Sequence, residues 1–581
     1  MKKQLTLLLA EVKQYKWLAI LTPLVILVEV ALEVLIPARM GDLIDIGLEM
    51  GDRSYVLRMG GTITVLALLA LGLGALSAVL GALAANGFAK NLRITLLDKI
   101  SHFSFQNRDK FSTPSLVTRV TQDVNFLQQS FMMGIRLLMR GPAMLIMATV
   151  MAVRISGRLS FILLGAIIFL VGCVILIAKL AFPRFTKMLA RYDELNASAQ
   201  ENLIAIRVAK AFARGPFEDR KFKQSADKVR SAQFKAEKVF ILSMPLMTLA
   251  MYGCIFTAVL LGGRDIVFGR LEAGQLISFL SYVVSVLVSL LLLSMVFVSL
   301  VLSAASAKRV TEVLREVPAI PENPDSDLAL QDGSVVFSHV DFSYVDDPNR
   351  CALCDINLKV ASGQVVGVLG GAGAGKTSLV QLLPRLYDVL SGSVRVGGHD
   401  VRELNTHVLR ESIGMVMQQS VLFSGTIREN LLWGRPDASP EELDEAAQAA
   451  CAKEFIDAFP EGYDTVLGQG GVNLSGGQKQ RLCIARALLR DPKILILDDA
   501  TSAVDTATDA KIREALRTRY AGVTKFIVAQ RIASIREADQ IVVLHEGRVD
   551  AVGTHETLLE SNAIYQEVYQ SQLICNNANH E

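Results

Sequence analysis

Apolar residues fill the first half of the chain in six long runs, near 17–36, 61–85, 135–157, 159–180, 240–263 and 274–304. Each is long enough for a helix through about 30 Å of hydrocarbon, where every backbone group must be satisfied within its own segment. The third run is the most polar at one end, because Arg136 and Arg140 sit at its start. The polar links alternate in length. Those at 155–158 and 262–273 are short, whereas 86–134 and 181–239 are long, charged and patterned as helix. The second long link is basic, with Arg184, Lys187, Arg191, Arg207, Lys210 and Arg214 among its residues. Basic loops stay inside, so both termini, both long links and everything after the sixth run are expected in the cytosol. Two short stretches, 111–117 and 212–217, mix aromatics with turn formers and are expected to dock on a cytosolic domain.

After Arg309 the pattern changes. Acidic residues with Pro318, Pro321 and Pro324 read as a linker over 310–334. Strand-like runs at Val335–Phe337 and Val340–Tyr344 open an α/β domain over 335–575, with a tail at 576–581. The apolar fraction of 51% belongs mostly to the membrane half of this 581-residue chain, 1–309. A net charge of +2 gives no reason to expect a nucleic-acid partner. Seven scattered cysteines, including a lone Cys351/Cys354 pair, suit reduced thiols rather than a four-ligand metal site. The first apolar run is longer than a signal core and is expected to be retained. Glu29 and Glu33 lie one turn apart inside it. Intramembrane carboxylates face a cavity or a partner, so the pair reads either as a site for cationic substrates or as an interhelical or water-facing structural pair near the outer end.

Candidate chemistry lies in the second half. The buried run Gln364–Leu369 leads into Gly370, Gly371, Ala372, Gly373, Ala374, Gly375, Lys376 and Thr377, followed by an expected helix over Ser378–Leu386. This is the strand, glycine-rich loop and helix of a phosphate-binding loop. Gly370, Gly373 and Gly375 turn the backbone amides toward phosphate, Lys376 reaches the β and γ phosphates, and Thr377 offers a hydroxyl to Mg²⁺. A second buried run, Ile494–Leu497, ends at Asp498, a Mg²⁺ partner, and Asp499 follows where a general base would orient water. Gln418 and the stretch Leu474-Ser475-Gly476-Gly477-Gln478 lie between them.

With these motifs the chain resembles the ATP-binding cassette transporters, specifically half-size exporters. The resemblance implies a membrane all-α six-helix exporter domain fused to an α/β P-loop ATP-binding cassette, using ATP and Mg²⁺. It implies that Tyr344 stacks on adenine and that Ser378 joins the ATP site. Gln418 would touch Mg²⁺ together with Thr377 and Asp498. Ser475, Gly476, Gly477 and Gln478 would be the signature that completes the ATP site of a second cassette, and Ser502 to Asp505 the loop that crosses to it.

Four positions depart from the family pattern. Asp499 stands where a glutamate is usual and Gln530 where a histidine is usual. Gln469 and Met417 replace a glutamate and a proline. With the binding residues intact, the combination resembles the degenerate-site subunit of heterodimeric bacterial multidrug exporters. The expected protein is a multi-pass subunit of the bacterial cytoplasmic membrane, surrounded by lipid, with its cassette in the cytosol. It would export a hydrophobic or amphipathic small molecule beside a second half-transporter that carries the glutamate and histidine. An ATP-gated sensor with little transport, a slow homodimeric exporter and an importer are the rival readings.

Overall fold

The computed structural model describes residues 2–578 apart from 322, 325 and 346. The expected tail falls on the last helix, Ala563–Ala578, as far as residue 578 and lies outside the described residues beyond it. The chain forms two compact units, one of residues 1–101 and 112–316, the other of residues 102–111 and 317–581.

The first unit is helical. Among the described residues, six segments are long and apolar enough to cross a membrane: Lys13–Leu48, Arg53–Ser101, Thr113–Ile155, Gly157–Ile204, Gly215–Val267 and Ala273–Leu293. Five expected runs match them, the third overrunning Ile155 by two residues; the sixth, 274–304, continues past Leu293 along the same helix, Ala273–Arg315. The helices outlast the hydrocarbon. At 1.5 Å per residue, the 48 residues of Gly157–Ile204 span about 72 Å, so the long links are mainly continuations of the spans. Ser156 caps this helix by accepting from the Leu159 amide. A core of Ile26, Val30, Leu159, Phe279 and Val286 joins the first, fourth and sixth spans, and Tyr282 donates to the Val34 carbonyl at 2.8 Å. Leu68, Phe161, Ile168 and Phe256 point outward and are well exposed, as residues facing lipid must be.

Arg140 decides between the two readings of the carboxylate pair. Its guanidinium bonds Glu29 Oε1 through one nitrogen and Glu33 Oε2, at 2.6 Å, through the other. Glu29 is buried. The charged start of the third span thus meets the charged face of the first, an interhelical contact. Removing the shared cation strands two carboxylates. Arg140→Ala is expected to destabilise the folded protein by about 3 kcal/mol or more, read as a lower unfolding temperature in detergent. Glu33→Gln leaves a one-to-one pair and should cost far less.

Nearer the cytosolic end, a π-helical turn at Arg119–Asp123 interrupts the third helix. It aims Asp123, which is buried, at Ser306 Oγ and Arg309 Nε of the sixth helix, both at 2.8 Å. Arg119 donates to the Arg309 carbonyl at 2.8 Å.

The second unit contains strands β1 (Val335–Phe342), β2 (Leu353–Val360), β3 (Val365–Gly370), β4 (Ser391–Val396), β5 (His399–Asp400), β6 (Ile413–Val416), β7 (Gly425–Thr426), β8 (Val466–Leu467), β9 (Ile494–Asp498), β10 (Thr524–Val528), β11 (Gln540–His545) and β12 (Arg548–Gly553). The six-stranded sheet has the order β12-β11-β3-β10-β9-β6, parallel except for the β12 edge. A four-stranded sheet, β2-β1-β4-β5, packs against it. The two expected strands before Tyr344 form one, β1, whose register shifts between Phe337 and Val340 around His339 at φ 47°. A separate helical lobe, with Leu443, Ile456, Leu482 and Leu488 in its core, carries the Gly476–Leu489 helix.

Residues 102–111 belong to this second unit, earlier in the chain than the expected 111–117 stretch. Asn107 fastens them, donating to the Val317 carbonyl (3.0 Å) and accepting from the Ala319 amide (2.9 Å). Tyr387 donates to Asp109 Oδ2 at 2.8 Å and packs beside Phe105. Burial and the Asp109 carboxylate push the Tyr387 phenol well above its usual pKa. Phe212 and Phe217, of the second expected docking stretch, are exposed within the first unit.

Candidate functional site

The order β3-β10-β9-β6 sets four parallel strand ends side by side. Ligands in open α/β sheets bind at these carboxyl ends. After β3 comes the glycine-rich loop, after β9 Asp499, after β10 Gln530 and after β6 Gln418. Together with Tyr344 and Ala352 they line a cleft of ≈ 380 Å³.

Gly373 and Gly375 adopt φ of +78° and +92°, which favours glycine. A Cβ on Gly375 would also sit 2.7 Å from Leu353 Cδ2. Gly370 is needed for a different reason than expected. It lies at the end of β3, where a Cβ would come within 2.4 Å of the Leu544 carbonyl oxygen. It is a close-approach residue rather than a turn residue. Neither Gly370 nor Gly371 lines the cleft, but their carbonyls accept from Lys376 Nζ at 2.9 and 2.8 Å. Burial lowers the Lys376 pKa, and the carboxylates of Asp498 and Asp499 oppose that shift. The following helix runs only over Lys376–Gln381, ending five residues before the expected Leu386.

Thr377 Oγ1 donates to Asp498 Oδ1 at 3.1 Å. Asp498 is almost wholly buried, which raises its pKa, while the Thr377 bond acts the other way. Two hard oxygen groups this close suit Mg²⁺, which takes one or two protein ligands and shares the rest with phosphate and water. Among the described residues no group of three or more His, Cys, Asp or Glu forms an all-protein metal site. The loop amides, Lys376 and the Thr377–Asp498 pair therefore fit a Mg²⁺-nucleoside triphosphate.

Tyr344 lies just past β1. Its hydroxyl shares a hydrogen bond with Ser378 Oγ at 2.8 Å, and its ring meets Phe342 and Tyr387 edge-on, at 4.8 and 5.1 Å between centroids. The ring remains 40% exposed at the cleft. Asp499 holds a φ of +53°, a region that aspartate tolerates better than longer side chains do. Its Oδ2 accepts from Gln530 Nε2 at 3.2 Å. The two departing positions thus bond each other. Gln572 of the last helix clasps the Gln530 loop at two points, donating to the Gln530 carbonyl (2.8 Å) and accepting from the Ile532 amide (2.9 Å).

The signature residues do not line this cleft. Ser475 caps the Gly476–Leu489 helix by accepting from the Gln478 amide (3.3 Å). The Gln478 side chain turns back to accept from the Ser475 amide (2.9 Å), so it shapes the loop. Gly476 and Gly477 form the first turn of that helix, an N-terminus whose dipole favours negative charge. Behind it, Gln480 holds the Ser502–Asp505 loop through Ser502 Oγ (3.1 Å) and the Ala503 amide (2.9 Å). Gln480, Gln572 and Ala352 are site residues that the sequence does not announce. Gln572 and Ala352 sit in no glycine-rich or charged pattern, and Gln480 lies just past the signature between Lys479 and Arg481; the role of each is identified only by what it touches.

Residues 19–291 match the family described as ABC transporter transmembrane region, and residues 353–502 the family described as ABC transporter. The chain is 35% identical over 565 residues to the uncharacterized ABC transporter ATP-binding protein YfiB of Bacillus subtilis, covering 97% of this chain and 98% of that protein. It is 33% identical over 484 residues to the ATP-dependent lipid A-core flippase of Desulfotalea psychrophila, covering 83% and 84%. A solved structure of a bacterial Atm1-family ABC exporter with ATP bound superposes with a TM-score of 0.81 at 25% identity, covering 96% of this chain and 98% of that one. The motif geometry, the six spans and these full-length likenesses agree: the chain belongs to the ABC transporter family, as a half-size exporter with one transmembrane region fused to one ATP-binding cassette.

Proposed function

We propose that this chain is the degenerate-site subunit of a heterodimeric ATP-driven exporter in the bacterial cytoplasmic membrane. The observation that carries this reading is the Asp499–Gln530 pair, set in a cleft whose binding residues are all present. Aspartate is one methylene shorter than glutamate, which withdraws the carboxylate by about 1 Å, and a displacement of that size costs about 100-fold in rate. Its Oδ2 is also engaged by an amide. Gln530 is neutral, so it cannot bring positive charge to a developing phosphate oxyanion.

The chain's remaining parts still bind and position. Lys376 and the loop amides cradle phosphates. Thr377 and Asp498 would hold Mg²⁺, which supplies charge neutralisation on the transferring phosphoryl group. Gly476, Gly477 and the Gly476–Leu489 helix would complete the partner's site, where a glutamate and a histidine carry out hydrolysis. In this division of labour the chain's own site holds ATP and the composite site turns over. Closure of the cassettes drives outward opening, and hydrolysis resets the transporter. The cargo is a hydrophobic or amphipathic small molecule.

The test compares ATPase activity of the purified chain with that of the chain co-expressed with the half-transporter encoded beside it. Activity confined to the pair supports the reading. A stable dimer of this chain alone with comparable activity would make Asp499 a competent base and the protein a homodimeric exporter.

A further inference from the structure

In the first unit, the Gly157–Ile204 helix and the Gly215–Ile241 helix run side by side past the ends of their apolar runs. Ala181, Val229 and Ala236 are buried along this part of the two helices, and Tyr192 donates to Gln233 Oε1 at 3.0 Å. Between the helices lies a groove of ≈ 680 Å³ lined by Arg184, Lys187, Arg191, Lys228 and Lys235. Asp227 is the single carboxylate in the lining, and it is bonded to Arg230 at 3.2 Å. Arg191 pairs with Glu194 at 2.6 Å. Lys187, Lys228 and Lys235 form no ion pair among the described residues.

Five cations against one carboxylate line a single groove, and those within a Debye length of one another, about 8 Å at physiological salt, repel. A phosphate-bearing anion relieves that repulsion, and Lys and Arg are its usual partners. Depth favours the same class. Arg184 and Lys235 lie four and five residues beyond the apolar runs that end at 180 and begin at 240. At 1.5 Å per residue this is about 6–8 Å past the hydrocarbon, at headgroup level. Arg191 and Lys228 lie about 10 Å farther into the cytosol.

We propose that this groove binds a phosphate-ester anion at the cytosolic face, entering from the Arg184–Lys235 end. The site stands on the membrane topology and is independent of the unequal-pair reading, since it is measured without nucleotide. The probes are dihexanoyl phosphatidic acid, dihexanoyl phosphatidylcholine and inorganic phosphate, titrated by thermophoresis into the full-length protein in detergent. Phosphatidic acid should bind and phosphatidylcholine should not. The triple variant K187Q/K228Q/K235Q should weaken phosphatidic acid binding about 100-fold, and K187R/K228R/K235R should restore it. Inorganic phosphate binding as tightly as phosphatidic acid assigns the site to a soluble phosphate, and a much weaker inorganic phosphate assigns it to a lipid headgroup. Equal binding of phosphatidylcholine, or unchanged binding in a natively eluting glutamine variant, overturns the proposal. Should that variant not fold, the wild-type salt dependence decides: loss of binding as salt rises supports the site, and salt-independent binding overturns it.

Discussion

Gly477→Ala is expected to lower the ATPase activity of the assembled transporter by about 100-fold, with little change in its unfolding temperature. The added Cβ would lie 2.8 Å from the Ala503 carbonyl oxygen, and that atom is backbone. It cannot swing aside as a side chain would, because Gln480 holds the loop through both Ser502 Oγ and the Ala503 amide. Either the helix N-terminus or the crossing loop must shift by several tenths of an ångström. Both belong to the surface that would complete the partner's ATP site. Loss of one aligned donor to a developing oxyanion costs about 100- to 1,000-fold. Gly476→Ala is the matched control. Its Cβ would meet only Ala503 Cβ, at an ordinary 3.5 Å, so the loss should be much smaller. Phosphate release measures both. Activity within threefold of the wild type for Gly477→Ala would remove the signature from the working site.

The second large effect is a gain. Asp499→Glu combined with Gln530→His should raise hydrolysis at this chain's own site by about 100-fold, the reverse of the cost assigned to the withdrawn carboxylate, read in the assembled pair with the other site silenced by Ser475→Ala. The gain is opposed by strain at residue 499, whose φ of +53° suits aspartate better than glutamate. Either single change should gain far less, since each leaves one partner of the bonded pair in place. Conversely, Asp499→Asn in the assembled pair should leave activity within about twofold. Collapse of that activity to background would show that this site hydrolyses after all.

The sequence made the main architecture legible because it depends on local pattern. Six apolar runs are spans wherever they occur, and the wholly buried β9 reads as an apolar run ending in Asp498. The phosphate-binding loop follows from glycine spacing between a strand and a lysine. What stayed hidden depends on partners far along the chain. Arg140 lies more than a hundred residues from the two glutamates it joins, so the carboxylate pair keeps two readings until the third span is placed against the first. Asn107 and Asp109 bond Val317, Ala319 and Tyr387, and no window of sequence includes both sides. The long cytosolic extensions are helices with charged faces, so apolar length alone understates them. Gly370 was legible as required, but its reason was not, because the strand it faces lies far along the chain.

The two-point grip of Gln572 has a consequence for how freely residue 530 can vary. The amide fixes the main chain on either side of Arg531 and makes no use of the side chain at residue 530. An exchange between histidine and glutamine there leaves the path of the loop untouched, so the scaffold accepts either residue while remaining foldable and able to seat a nucleotide.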